Sequence, residues 1–183
     1  MSGSLLLWGV LALCVFWSVG LYNRLMRIRG RSLSAFGSVE KHMRLYADLV
    51  GDNLAHGAAL HLHTSKEDKL TDDWDCLLCA LRVFEDALKE TGPSALRREA
   101  PARLGPAYDA VQAAWCRLNE APPDLAGPLV PATMRTQWDA VTQRVETARG
   151  GFNQLLTQYN EALAQFPARL VAGAMGFKPG SML

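Results

Sequence analysis

Two cysteines separated by two residues come nearest to a reactive site in this sequence. Cys76 and Cys79 form a C-x-x-C pair around two leucines, and such a pair can be a redox dithiol or half of a metal site. Redox pairs normally begin a helix in a βαβ setting, whereas these cysteines lie inside a predicted helix, and a metal would need two further ligands. Inert or half-buried thiols are therefore the favoured interpretation.

A cluster of histidines followed by acidic side chains is the second candidate. Its members are His56, His61, His63, Glu67, Asp68, Asp72 and Asp73. Imidazole and carboxylate groups could together bind a transition metal. The histidines are separated by five and two residues, however, and neither spacing places two of them on one helical face as an i, i+4 pair would. A solvated helix end or loop is favoured over a metal site.

Catalytic signatures are missing from the sequence. The adjacent carboxylates Asp72 with Asp73 and Glu85 with Asp86 point in different directions on a helix, so they do not converge on one substrate. No nucleophile elbow, phosphate-binding glycine loop or dinucleotide fingerprint occurs. We expect no catalytic residue, no metal ligand and no cofactor, and a protein that is not an enzyme. A metal- or redox-dependent enzyme is the least favoured hypothesis.

Two asparagines on the last predicted helix are a further candidate. Asn153 and Asn160 are seven residues apart, so they share one face beside the aromatic residues Phe152 and Tyr159. A stripe that binds a partner is one interpretation. The favoured one is structural: each amide forms hydrogen bonds across a helix bundle and specifies its register.

An apolar segment precedes all of these residues. The segment from Leu5 to Leu21 contains no charged residue. Its length is at the lower end of the roughly 17 to 25 residues with which a helix crosses a bilayer. A cleaved signal sequence is the main alternative, but no basic region precedes the segment and no small-x-small cleavage pattern follows it. A soluble core helix would seldom be apolar on every face. An uncleaved anchor at residues 5–21 is therefore predicted.

Four arginines follow the apolar segment: Arg24, Arg27, Arg29 and Arg31. By the positive-inside rule they place the N-terminal stub outside and the soluble region in the cytoplasm. The alternative is that they serve the fold of the first helix, which leaves an extracytoplasmic soluble region open. The formal net charge of +1 gives no general attraction to nucleic acid. We expect a single-pass protein of the inner cell membrane.

Apolar residues at alternating spacings of three and four predict a long helix near the C-terminus. They are Met134, Trp138, Val141, Val145, Ala148, Phe152, Leu155, Tyr159, Leu163 and Phe166. Thr133 is the expected N-cap, and Pro167 is expected to stop the helix. A second long helix is predicted to continue out of the membrane segment, because apolar residues recur there at helical spacing: Tyr22, Leu25, Met26, Ile28, Phe36, Val39, Met43, Tyr46 and Val50.

Two shorter helices are predicted between the long ones. The first carries Trp74, Leu77, Leu78, Leu81, Phe84 and Leu88, with Thr71 or Asp72 as its cap and Thr91, Gly92 and Pro93 as its stop. The second carries Leu104, Tyr108, Val111, Trp115 and Leu118. The proline-rich stretch from Ala121 to Pro131 excludes regular structure.

These elements predict an all-α protein in which an N-terminal transmembrane helix leads into an antiparallel four-helix bundle with long first and last helices. We divide the chain into a stub and anchor (1–21), a helical domain (22–166) and an apolar, glycine-containing tail (167–183). Phe177 and Lys178 form an amphipathic tip on that tail. The tip can pack on the bundle or on the bilayer surface.

The two ends of the chain resemble the LemA family. The resemblance rests on paired residues in the C-terminal segment: Ala148 and Arg149, Phe152 and Asn153, Tyr159 and Asn160, Phe166 and Pro167, and Gly176 and Phe177. The first helix agrees at Tyr22, Asn23, Leu25, Ala35, Phe36, Asp48 and Leu49. Between Arg44 and Asp52 the sequence departs from the family pattern, and Phe152 replaces a more usual tyrosine.

The resemblance implies a membrane helix with a small external stub, an antiparallel four-helix bundle and no established enzymatic activity. The expected function is that of a membrane-anchored helical interaction or scaffold protein. Its expected contacts are the lipid bilayer through residues 5–21 and a protein partner near the membrane, with no nucleic acid. A bundle that shapes the membrane or senses its lipids is the alternative.

Overall fold

A computed structural model describes residues 2–61, 68–92, 95–96, 99–120 and 130–183. Five helices and no strand occur in these ranges. They are α1 (Ser2–His61), α2 (Asp68–Thr91), α3 (Glu99–Glu120), α4 (Ala132–Ala164) and α5 (Ala168–Ala174). The all-helical class predicted from the sequence is confirmed.

Helix α1 is one continuous element of 60 residues. It runs without a break from the apolar segment through Leu21 and Tyr22 into the folded region. Large side chains between Leu7 and Val19 are exposed, whereas Leu25, Phe36 and Tyr46 are buried. The described side chains from Leu7 to Val19 thus add nothing to the core, whereas the later part of α1 makes much of it.

Within the described residues, α1 is the one helix long and apolar enough to be a candidate membrane span. Ser18 is the polar side chain near the end of its apolar segment, and its hydroxyl donates a hydrogen bond to the Cys14 carbonyl at 2.8 Å. That bond satisfies the hydroxyl within the helix itself, without a polar partner from outside α1.

Helix α4 follows the predicted seam with three corrections. Met134, Trp138, Val145 and Phe152 are buried, but Leu156 occupies the core position expected for Leu155, which is half-buried. Phe166 is 83% exposed because α4 ends at Ala164 and the chain turns before the next seam position. Thr133 is not the cap: Pro131 is the N-cap residue and Thr133 lies in the first turn.

Helices α2 and α3 bury the apolar residues that their spacing predicts, including Leu77, Phe84, Tyr108 and Leu118. α2 ends at Thr91 as expected. It begins earlier than predicted, at Asp68, so neither Thr71 nor Asp72 is the cap. Of the proline-rich stretch, residues 121–129 lie outside the described part of the chain, and Val130 is buried against the core.

The helices pack in two pairs, α1 with α4 and α2 with α3, and α5 contacts both α1 and α4. In the first pair Phe36 lies against Phe152 with ring centroids 5.6 Å apart. In the second, Arg103 forms a salt bridge with Glu90 at 2.8 Å. Stacked indole rings join the pairs, since Trp115 of α3 and Trp138 of α4 lie 4.0 Å apart and 8° from parallel.

Candidate functional site

The tail is held along α4 by the two asparagines singled out in the sequence. Asn160 donates from Nδ2 to the Gly180 carbonyl at 3.0 Å, and its Oδ1 accepts from the Gly180 amide at 2.9 Å. Asn153 pairs in the same way with Leu183, at 2.9 Å and 3.0 Å. Each side-chain amide therefore forms, with the backbone of one tail residue, the pair of hydrogen bonds that a neighbouring β-strand would form. We call this arrangement the tail clasp.

Aromatic residues extend the tail clasp to α1. Tyr159 donates from its hydroxyl to the Lys178 carbonyl at 3.3 Å. The Phe177 ring lies 6.0 Å from the Tyr22 ring, and the Arg29 guanidinium lies over it at 5.9 Å. Of the two positions open to the amphipathic tip, Phe177 thus packs on the folded helices. Burial raises the pKa of the Tyr159 hydroxyl, so the neutral donor form is favoured.

Two glycines give the tail its path. Gly176 has φ +72°, a left-handed conformation that costs an L-residue about 1–2 kcal/mol. At Gly180 a Cβ atom would lie 2.7 Å from Leu156 Cδ1 and 3.1 Å from the Leu96 carbonyl oxygen. The tail backbone therefore lies so close to its neighbours that a side chain at this position would require Leu156 or the tail to shift.

The structural interpretation predicted that the asparagines form hydrogen bonds across a helix bundle, but they do not. They bind the tail instead, and the hydrogen bonds between helices come from other residues. Four residues of the family resemblance nonetheless come together in one packed arrangement: Tyr22, Asn153, Asn160 and Phe177. No sequence signal identifies the tail as their partner, since its bonds use backbone atoms.

A partly buried polar network joins the two helix pairs around the Tyr46 hydroxyl. Tyr46 of α1 donates to Thr142 Oγ1 of α4 at 2.8 Å and accepts from Gln112 Nε2 of α3 at 3.1 Å. Gln112 Oε1 in turn accepts from Trp138 Nε1 at 3.3 Å. These bonds satisfy polar groups that would be costly to bury alone, so they specify one register between the pairs.

Tyr108 is a second member of this network. Its hydroxyl lies 3.3 Å from the Tyr46 hydroxyl and donates to Glu146 Oε1 at 3.3 Å, while Arg149 lies over its ring at 5.3 Å. Burial, with smaller contributions from Tyr46 and Glu146, raises the pKa of Tyr108 well above its usual range. A neutral phenol of this kind is a structural donor, because it gives up its proton less readily than an ordinary tyrosine.

A groove of about 220 Å³ lies where α1 leaves its apolar segment. One wall is α1, with Trp17, Leu21 and Arg24, and the other is the turn between α4 and α5, with Gln165 and Phe166. Trp17 and Phe166 are both exposed. The groove is thus an open surface, lined by both apolar and polar groups, beside the end of the candidate span.

The C-x-x-C cysteines do not form a metal or disulfide site in the described part of the chain. All four cysteines are free thiols, and Cys79 is exposed while Cys76 is half-buried. Cys76 Sγ accepts a hydrogen bond from Arg117 Nη2 at 3.1 Å, which links α2 to α3. This contact gives Cys76 a packing role.

The histidine cluster lies largely outside the described residues. The backbones of His56 and His61 belong to the last turns of α1, but their side chains, together with His63 and Glu67, are not among those described. Elsewhere in the described ranges no three His, Cys, Asp or Glu side chains are grouped as metal ligands would be. The metal hypothesis therefore stays a sequence prediction.

In a comparison with known families, the family model described as the LemA family matches residues 94–183. The matched region contains α3, α4, α5 and the tail, and so the whole α4 side of the tail clasp. No curated protein and no solved structure gives a significant match.

Proposed function

The chain belongs to the LemA family, and from this premise we propose that it is a membrane-anchored helical interaction or scaffold protein without catalysis. The observation that carries the proposal is the continuity of α1. Its apolar first part is exposed and its later part is core, so an inserted anchor holds the folded region against the bilayer with no flexible linker between them.

The proposed architecture is an antiparallel four-helix bundle behind the anchor. Contacts between α1 and α4 support it, because Phe36 meets Phe152 while Tyr46, further along α1, meets Trp138, earlier on α4. Contacts between α2 and α3 run in the same sense, with Cys76 against Arg117 and Glu90 against Arg103. A bundle of this kind presents long polar helix faces on which a partner can bind.

The proposed location is the inner cell membrane, with the bundle in the cytoplasm. Support comes from the exposed arginines Arg24, Arg27 and Arg31 directly after the span, since cytoplasmic flanks are enriched in positive charge. Arg29 also contacts Phe177, so that arginine serves the fold as well.

Topology is testable with cysteines already present. Cys79 and Cys116 are exposed on the bundle, whereas Cys14 lies in the proposed span. A membrane-impermeant maleimide should leave intact spheroplasts unlabelled and should label the protein after permeabilisation. A C79S/C116S variant is the control for specific labelling, and labelling of intact spheroplasts would place the bundle outside.

The interaction role is tested by capturing the full-length protein from a mild detergent extract. We expect one membrane or cytoplasmic protein in a constant ratio to the bait. A variant with residues 5–21 replaced by an unrelated transmembrane helix should retain that partner, since the bundle supplies the binding face. Recovery of the bait and lipid alone, in several mild detergents, would contradict the proposal.

A bundle that senses lipid or shapes the membrane is the second candidate function. The observation that favours it is the exposed apolar surface formed by Phe166, in the turn between α4 and α5, and Leu170, in the first turn of α5. It differs from the scaffold role in requiring the folded region itself to contact lipid.

A further inference from the structure

The turn between α4 and α5 and the first turn of α5 each expose a large apolar side chain. Phe166 is 83% exposed and Leu170 is 66% exposed, although Phe166 continues the apolar seam of α4 in the sequence. The neighbouring Ala168 and Ala172 are buried and attach α5 to the rest of the protein. Phe166 in the turn and Leu170 in α5 therefore point away from the core. We call Phe166 and Leu170, with the flanking Arg169, the apolar foot.

The position of the apolar foot along α1 is given by the groove. Phe166 and Gln165 line it together with Trp17 and Leu21 of α1. Trp17 and Leu21 belong to the last turns of the proposed span, where aromatic residues commonly lie at the lipid interface. When α1 crosses a bilayer, Phe166 is therefore at the depth of the interface.

Charged groups flank the same surface. Arg24 lines the groove, and Arg169 is exposed next to Leu170. Guanidinium groups bind phosphate oxygens through paired hydrogen bonds, and basic residues at the surface of an anionic leaflet are attracted to it. The apolar foot and Arg24 together match the boundary between acyl chains and headgroups, because they combine apolar side chains with guanidinium groups.

We propose that the apolar foot is a lipid-contact site on the bilayer that α1 crosses, with Phe166 and Leu170 in the interfacial layer and Arg24 and Arg169 on anionic lipid phosphates. The inference rests on the proposed membrane anchor and adds a second attachment to it. Lipid is the occupant because the apolar foot is continuous with the span through the shared groove. Two attachments restrict the tilt of the bundle relative to the membrane.

The test uses full-length protein in vesicles of phosphatidylcholine and phosphatidylglycerol that carry nitroxide lipids. Three single-cysteine variants are labelled with an environment-sensitive fluorophore in a background whose other cysteines are alanine. They are F166C at the apolar foot, the native Cys14 in the span and V83C on α2, where Val83 is 57% exposed. Circular dichroism checks that each variant retains its helices, as expected for substitutions at exposed positions.

We expect shallow nitroxides to quench the F166C label several-fold more than the V83C label, and deep nitroxides to quench the Cys14 label. Quenching at Cys14 without quenching at F166C would overturn the lipid-contact site and leave the anchor intact. No quenching at Cys14 would overturn the anchor and the site together. Disulfide cross-linking of F166C between two copies, without quenching, would assign the surface to self-association instead.

The charge component has its own comparison. Quenching of the F166C label should be stronger in vesicles that contain phosphatidylglycerol than in phosphatidylcholine alone. The substitution R169Q should reduce that difference, whereas R82Q, which changes an exposed arginine on α2, should leave it unchanged. An equal response in both lipids would contradict the role given to the arginines.

Discussion

Asn153 and Leu183 are joined by two hydrogen bonds, in which the side-chain amide both donates to and accepts from the backbone of the same residue. Asn160 binds Gly180 in the same way. Two turns of α4 separate the asparagines, so both lie on one face, and the tail runs past them in the direction opposite to α4. The tail is thus a packed part of the fold, so its detachment from α4 should be measurable.

Removing either asparagine should loosen the tail. N153A or N160A leaves one backbone N–H and one carbonyl of the tail without their partner, at a cost of roughly 1–3 kcal/mol. Hydrogen exchange read by mass spectrometry should show faster exchange in residues 176–183. Q154A, which changes an exposed neighbour on α4, is the control. Unchanged exchange in N153A/N160A would show that the bonds do not hold the tail.

An added methyl group at Gly180 should be destabilising. G180A places its Cβ against Leu156 and the Leu96 carbonyl, and overpacking of this kind costs about 1–3 kcal/mol. At Gly150 no atom lies within 4 Å of the added Cβ, so G150A in α4 should stabilise the protein by up to about 1 kcal/mol. Urea denaturation of the two variants tests the opposite signs. Equal shifts would refute the close approach.

The hydroxyl of Tyr46 should contribute more to the free energy of unfolding than the hydroxyl of Tyr22, whose ring lies beside the tail. Y46F keeps the ring contact with Trp138 at 4.5 Å but deprives Gln112 and Thr142 of their partner, for an expected loss of about 1–3 kcal/mol. Y22F retains its ring contact and is the matched control. The Y46F/T142V double-mutant cycle should give a coupling energy of about 0.5 kcal/mol or more; additive effects would argue against the bond.

Alkaline pH should weaken the fold through Tyr108. Its pKa in the folded protein is raised above the ordinary value of 10.0, so the unfolded chain loses this proton first. The stabilising contribution is complete below pH 10.0 and declines as the pH rises above it toward the folded pKa. The free energy of unfolding, measured at several alkaline pH values, should fall less steeply in Y108F. An identical slope in Y108F and the parent would refute this assignment.

The helices could be predicted from the sequence because their signal is local. Alternation of three and four residues predicts α3 and most of α4, and Thr91 and Pro93 mark the end of α2. The predicted helix starts were less accurate than the predicted ends, since α2 begins at Asp68 and α4 at Ala132. In the folded protein Leu156, and not the predicted Leu155, is the core residue, because a straight helix drifts relative to a strict repeat.

The sequence alone determined the helical class, the apolar segment that is a candidate span, the family and the identity of most core residues. These follow from side-chain type and spacing along the chain. Tertiary structure decided which partners Asn153 and Asn160 bind, that Phe166 faces outward and that Tyr46 connects three helices. These relationships depend on backbone groups and on residues distant in the chain, whose approach becomes defined only when the helices pack.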